Sequence, residues 1–175
     1  LERILFMPAG DPWQKSERTI SPALDRVEML RLAIDDSAGF ELDLREVIRL
    51  GRTYTIDTLE SFDESEDLSL VVGADAAAGI PSWHRADEIV GRARILVVPR
   101  TGVEESRVLE AVPGAWILDM EPVDISATEI RRRVAAGLSV DSLVTSEVAV
   151  YIASRGLYAD AVEDDMVGDS SDPEE

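Results

Sequence analysis

The sequence predicts an α/β fold with a doubly wound parallel sheet. Three observations carry this: short apolar runs recur along the chain, amphipathic helical stretches separate them, and Gly or Pro closes most of them. The apolar runs are mostly continuous, the pattern of parallel strands covered on both faces by helices.

Arg3 to Met7 (RILFM) reads as a buried strand, ended by Pro8-Ala9-Gly10 and a polar loop through Ile20. Ser21-Pro22 predicts an N-cap followed by proline at the first helical position, with Leu24, Val27, Leu30, Leu32 and Ile34 forming an apolar face through Asp36. Phe40 to Leu44 alternates like a strand, and Thr55 to Phe62 is expected to be a short helix after the break at Gly51. Leu68 to Val72 is an apolar strand ending at Gly73. A helical stretch near Asp87 to Val90 leads to a strand at Ile95 to Val98, and Trp116-Ile117-Leu118 follows. Ser126-Ala127-Thr128-Glu129 is a capping box that opens a helix ending at Gly137, and a last helix from Ser146 to Ser154 stops at Gly156.

Composition narrows the function. The 175 residues suit one domain. Lys plus Arg number 17 and Asp plus Glu 36, a net charge of −19, which disfavours nucleic acid and anionic membranes as partners. No apolar run is long enough to span a bilayer. With no Cys, thiolate and disulfide chemistry are excluded, and the single His84 cannot build a multi-histidine metal site. The N-terminus carries no basic segment followed by an apolar stretch, so the cytoplasm is the expected compartment. Residues 160–175 hold eight acidic and no basic residues, and 159–175 is expected to be an acidic, disordered tail.

In sheets of this kind ligands lie beyond the carboxyl ends of the strands, which nominates the loops after Met7 and Val72 and the turn into Ser126. The first loop, PAGDPWQK, holds Lys15, the only lysine of the chain and a compact charge suited to phosphate. Gly73-Ala74-Asp75 combines a glycine that permits close approach with a carboxylate that suits ribose hydroxyls; a helix-capping role for Asp75 fits equally well. Trp83-His84-Arg85 offers a stacking surface, a titratable ring and a cation, although a core Trp and a structural His are the commoner case. Tyr54, Thr55 and Thr58 bring hydroxyls to a helix start, where Thr55 also reads as a cap. The strongest local signal is Ser126 and Thr128 at a helix N-terminus with Arg131 in its second turn: hydroxyls, free N–H groups and a cation suited to an anion.

These residues resemble a family. PAGDPWQK, YTIDTL (54–59), GAD, SWH, VVPRTG (97–102), ISATEIRRRVAAG (125–137) and VYIASRGLY (150–158) occur in the order found in bacterial nicotinate-nucleotide adenylyltransferases, a resemblance covering about residues 1–158. The resemblance implies a Rossmann-like nucleotidyltransferase fold and transfer of AMP from ATP to nicotinate mononucleotide, giving deamido-NAD and pyrophosphate, with Mg2+ held mainly by the phosphates. It implies an ATP site at Gly73, Asp75, Ser126, Thr128 and Arg131, and a mononucleotide side at Lys15, Tyr54, Thr55, Thr58, Trp83 and His84. The resemblance also implies that Arg131 and Lys15 carry the catalytic charge. The family begins with a strand and a glycine-rich loop leading into a His-x-Gly-His helix, and this chain starts downstream of them. The expectation is that this strand and helix are missing from the sequence as given; an inactive nucleotide-binding remnant is the alternative, and a related transferase using an acceptor such as phosphopantetheine is another.

Overall fold

The computed structural model describes residues 2–12 and 21–159. These form two compact units: one holds the residues up to Arg52 and from Ile125 onward, the other Thr53–Asp124.

In the first unit, β1 (Ile4–Phe6) pairs in parallel with β3 (Phe40–Leu42), with Ile4 opposite Phe40 and Phe6 opposite Leu42. The connection between them contains the short β2 (Asp11–Pro12) and the helix α1 (Ala23–Ile34). Phe6 and Phe40 meet with ring centroids 5.0 Å apart, a tilted geometry that favours aromatic pairs. The short α2 (Arg45–Ile48) follows, its Arg45 paired with Asp43 at 2.6 Å. The unit closes with α7 (Ala127–Ala135) and α8 (Ser146–Arg155).

The expected cap at Ser21 is not formed. Helix α1 begins one residue later than predicted, with Pro22 at the cap position, and Ser21 Oγ instead donates to Tyr158 Oη at 2.8 Å. The predicted apolar face holds at Val27, Leu30, Leu32 and Ile34, none of them exposed, but not at its first position: Leu24 is 77% exposed and Asp25 is buried. The cause is α8, whose Tyr151 hydroxyl donates to Asp25 Oδ1 at 2.8 Å while Arg155 Nε donates to the same oxygen at 3.3 Å. A buried carboxylate is tolerated because it is hydrogen-bonded and paired. Gly156, at φ 61°, ends α8 in the left-handed conformation that glycine adopts without a Cβ clash.

The second unit is a three-stranded parallel sheet in the order β5 (Leu68–Gly73), β6 (Ala93–Val98), β7 (Trp116–Ile117). Its register sets Leu68 opposite Ala93 and Gly73 opposite Val98. The crossover from β5 to β6 holds α4 (Ala74–Gly79), a 3-10 turn (Ile80–Ser82) and α5 (Ala86–Arg92); α6 (Glu105–Ala111) links β6 to β7. The core gathers Ile56 and Leu59 of α3 (Thr55–Leu59), Ala74, Ala77, Ile80 and Ile89 of the crossover, Ile95 and Val97 of β6, and Val108 of α6. On β6, Ala93, Ile95 and Val97 turn inward while the exposed Arg94 pairs with Asp67 at 2.7 Å.

The fold class is therefore α/β with parallel sheets, as the sequence predicts. The described strands form three ladders: β1 with β3, β2 with the two-residue β4 (Arg52–Thr53), and β5–β6–β7. Among the described residues, no helix is long and apolar enough to cross a membrane.

Candidate functional site

The nominated residues fall into two groups, one in each unit. In the second unit, β5 runs out at Gly73, whose extended backbone caps α4 and delivers Asp75 to the first turn of that helix. Asp75 makes no side-chain cap bond. Its Oδ2 accepts from Arg100 Nη1 at 2.8 Å, so the carboxylate is braced from the loop after β6. The β5–β6 register explains the meeting: Gly73 lies opposite Val98, and Asp75 and Arg100 each lie two residues beyond that pair. A Cβ on Gly73 would approach Asp75 Oδ1 to 2.9 Å, so any larger residue there would displace the end of that side chain.

Further along the crossover, Trp83 is half-buried against the core, with its backbone N–H closing the 3-10 turn on Ile80 O at 2.8 Å. His84 is exposed, and its ring lies 4.4 Å from that of Tyr54, at 37° between planes. Tyr54 is the extended residue at the head of α3; Thr55 is the first helical residue and makes no side-chain cap bond, so the expected capping role is not realised. Thr58 is 5% exposed, which leaves its hydroxyl little surface to offer a ligand. This unit thus carries a Tyr54–His84 ring pair next in sequence to Trp83 and, at the end of β5, a carboxylate braced by Arg100.

In the first unit, Ser126 caps α7 as predicted, with its Oγ accepting from the Glu129 N–H at 3.1 Å. The Glu129 carboxylate turns to Arg132 in two bonds of 2.8 Å and lies 3.8 Å from Arg133, whose Nε donates to Ser139 O. Glu129 is held below the usual carboxylate range, first by its hydrogen bonds to Arg132. Arg131 differs from its neighbours. It donates from Nη2 to Thr128 Oγ1 at 3.3 Å, and its Nε is buried with no hydrogen-bond partner among the described residues. Arg131 thus lies one turn into α7 beside the Thr128 hydroxyl, with one guanidinium nitrogen enclosed and unpaired among the described residues. Lys15 lies outside the described residues, as does Trp13.

Sequence reasoning named no role for Arg100, although VVPRTG was singled out. The strand-end rule that nominated Gly73 applies equally to the loop after Val98. It also passed over Glu60 and Glu88, which grip Arg85.

Residues 1–133 match the cytidylyltransferase-like family, a nucleotidyltransferase class. A protein of Dehalococcoides mccartyi described as a probable nicotinate-nucleotide adenylyltransferase is 37% identical over 169 residues, covering 90% of this chain and 83% of that protein. One of Saccharopolyspora erythraea with the same description is 38% identical over 172 residues, covering 96% and 80%. Among solved structures, Plasmodium falciparum nicotinic acid mononucleotide adenylyltransferase complexed with NaAD superposes with a TM-score of 0.73 at 15% identity, covering 91% of this chain and 83% of that one, which speaks to the fold. The chain belongs to the nicotinate-nucleotide adenylyltransferase family.

Proposed function

We propose that the chain transfers AMP from ATP to nicotinate mononucleotide, producing deamido-NAD and pyrophosphate. The observation that carries the reading is family membership over nine-tenths of the chain, with relatives of that description. In this reaction a phosphate oxygen of the mononucleotide attacks the α-phosphorus of ATP. The bond from that phosphorus to the bridging oxygen breaks, and its electron pair leaves with pyrophosphate. No protein nucleophile is required, so the residues bind, orient and stabilise charge.

In this reading Ser126, Thr128 and Arg131 hold the ATP phosphates, and the Arg131 Nη2 bond to Thr128 Oγ1 keeps cation and hydroxyl together. Gly73 and Asp75 take the adenosine ribose, Asp75 being steadied by Arg100. Trp83 stacks on the pyridine ring, with His84, Tyr54, Thr55 and Thr58 on the same side, and Lys15 meets a substrate phosphate. A flat, electron-poor ring suits a large aromatic partner. Among the described residues no group of three or more His, Asp or Glu side chains is placed to hold a metal. Mg2+ would take its oxygens mainly from the polyphosphate, whose charge it would neutralise. We assign residues 1–158 to the nucleotidyltransferase domain and 159–175 to an acidic tail.

The test is kinetic, on the full-length natural protein. Arg131→Ala should lower kcat/KM for ATP by about a hundredfold, the usual scale for losing one donor at a developing charge. Unchanged kinetics would remove Arg131 from the site.

A further inference from the structure

The turn that carries Trp83 and His84 is held by an unusual residue. Arg85 sits in the left-handed region at φ 56°, one of two described non-glycine residues with positive φ. Such a conformation costs energy in an arginine and persists only where other contacts enforce it. The contacts are present. Arg85 Nη1 and Nη2 donate to the two oxygens of Glu60 at 3.1 and 2.6 Å, while Nε and Nη2 donate to those of Glu88 at 2.6 and 2.5 Å. Both carboxylates are engaged in two bonds by one planar guanidinium, a fork that lysine cannot reproduce.

The three partners come from three places. Glu60 ends α3, the helix headed by Tyr54; Glu88 lies in the first turn of α5; Arg85 follows His84 directly. The clasp therefore ties the start of α5 to the end of α3, and the residue between clasp and tryptophan is the one whose ring packs 4.4 Å from Tyr54. Hydrogen bonding to Arg85 also holds both glutamates below their usual range, so the pairs stay charged at neutral pH. Nothing in the proposed chemistry needs Arg85 to touch a substrate.

We propose that Arg85 is a positioning residue: by clasping Glu60 and Glu88 it forces the left-handed turn that sets Trp83 and His84 against Tyr54, and so fixes where a flat heteroaromatic ring stacks. The ring's identity as a pyridine nucleotide rests on the function proposed above; the clasp itself does not.

Two readouts separate the two claims. The first is magnetic resonance. The chain has one histidine, so the His84 ring protons are unique signals. In the native protein they should show a cross-relaxation contact to the Tyr54 ring. Arg85→Ala should abolish that contact and move the His84 signals, while Arg85→Lys should restore it in part. Arg85→Gly removes the clasp together with the cost of the left-handed backbone, so it should keep more of the contact than Arg85→Ala does.

The second readout is kinetic. Arg85→Ala should raise KM for nicotinate mononucleotide about tenfold, the effect of loosening a positioned group, while KM for ATP stays within about twofold. If the native protein makes no deamido-NAD, the proposed function fails and the resonance experiment still decides the clasp. A His84–Tyr54 contact that survives intact in Arg85→Ala overturns the proposal. So does an equal rise in both KM values.

Discussion

Asp25 shows how a single side chain sets the lie of a helix. It occupies the inward position that sequence periodicity gave to Leu24, and it does so because two α8 groups converge on one of its oxygens. Removing the acceptor strands a tyrosine hydroxyl and an arginine in a half-buried contact. Asp25→Ala is therefore expected to lose about 1–3 kcal/mol of stability, the cost of an unsatisfied buried polar group, measured by urea denaturation. Tyr151→Phe should cost less, about 1 kcal/mol, since it removes a single neutral donor and leaves Arg155 in place. Ile89 is a residue of the other kind. It is fully buried in the core of the second unit, and Ile89→Ala should cost about 2–5 kcal/mol through the cavity it leaves.

At the scale of elements, the ion pairs act as ties between helices and loops, and they impose a pH dependence. Glu60 and Glu88 are held down by hydrogen bonds to Arg85, and Asp43 by its bond to Arg45. A carboxyl whose folded pKa lies below its unfolded value stabilises the fold fully above that unfolded value. The contribution disappears as pH falls through the depressed folded value. Stability should accordingly hold at neutral pH and decline once pH drops below the ordinary values of 4.5 for the glutamates and 3.8 for Asp43. The denaturant midpoint of Glu60→Gln/Glu88→Gln should be lower at neutral pH and fall less steeply in acid; an unaltered acid slope would show that these pairs do not contribute.

The same scale explains what was legible in the sequence. The strands β5 and β6 were readable because their apolar runs are continuous, and Ser126 because a serine and a glutamate three apart carry their own cap geometry. Helix α4, with the sequence ADAAAG, has no apolar periodicity to read, and α6 is held by one fully buried residue, Val108. In the candidate site, Gly73 and Asp75 were legible from their position after a strand. The Arg100 brace and the Glu60–Arg85 clasp were not: each joins residues 25 apart, and their meeting depends on strand register and helix placement that periodicity does not encode.

For the molecule as a whole, charge is the dominant fact. Both proposed substrates are anions, and the chain carries −19. In the proposed site, the cations Lys15 and Arg131 would act against that field, which added salt screens. Where encounter limits the reaction, kcat/KM should rise from low to moderate ionic strength, unlike the fall expected of a basic protein meeting an anion. A steady decline with salt would mean that the local cations, not the net charge, govern approach. The central claim is direct attack on the α-phosphorus with no covalent protein intermediate. It is tested most directly by incubating the full-length protein with ATP labelled at the α-phosphate, nicotinate mononucleotide and Mg2+. The account predicts label in deamido-NAD, pyrophosphate released in equal amount, and none retained on the protein. Label held covalently by the chain, or released only as free AMP, would contradict it.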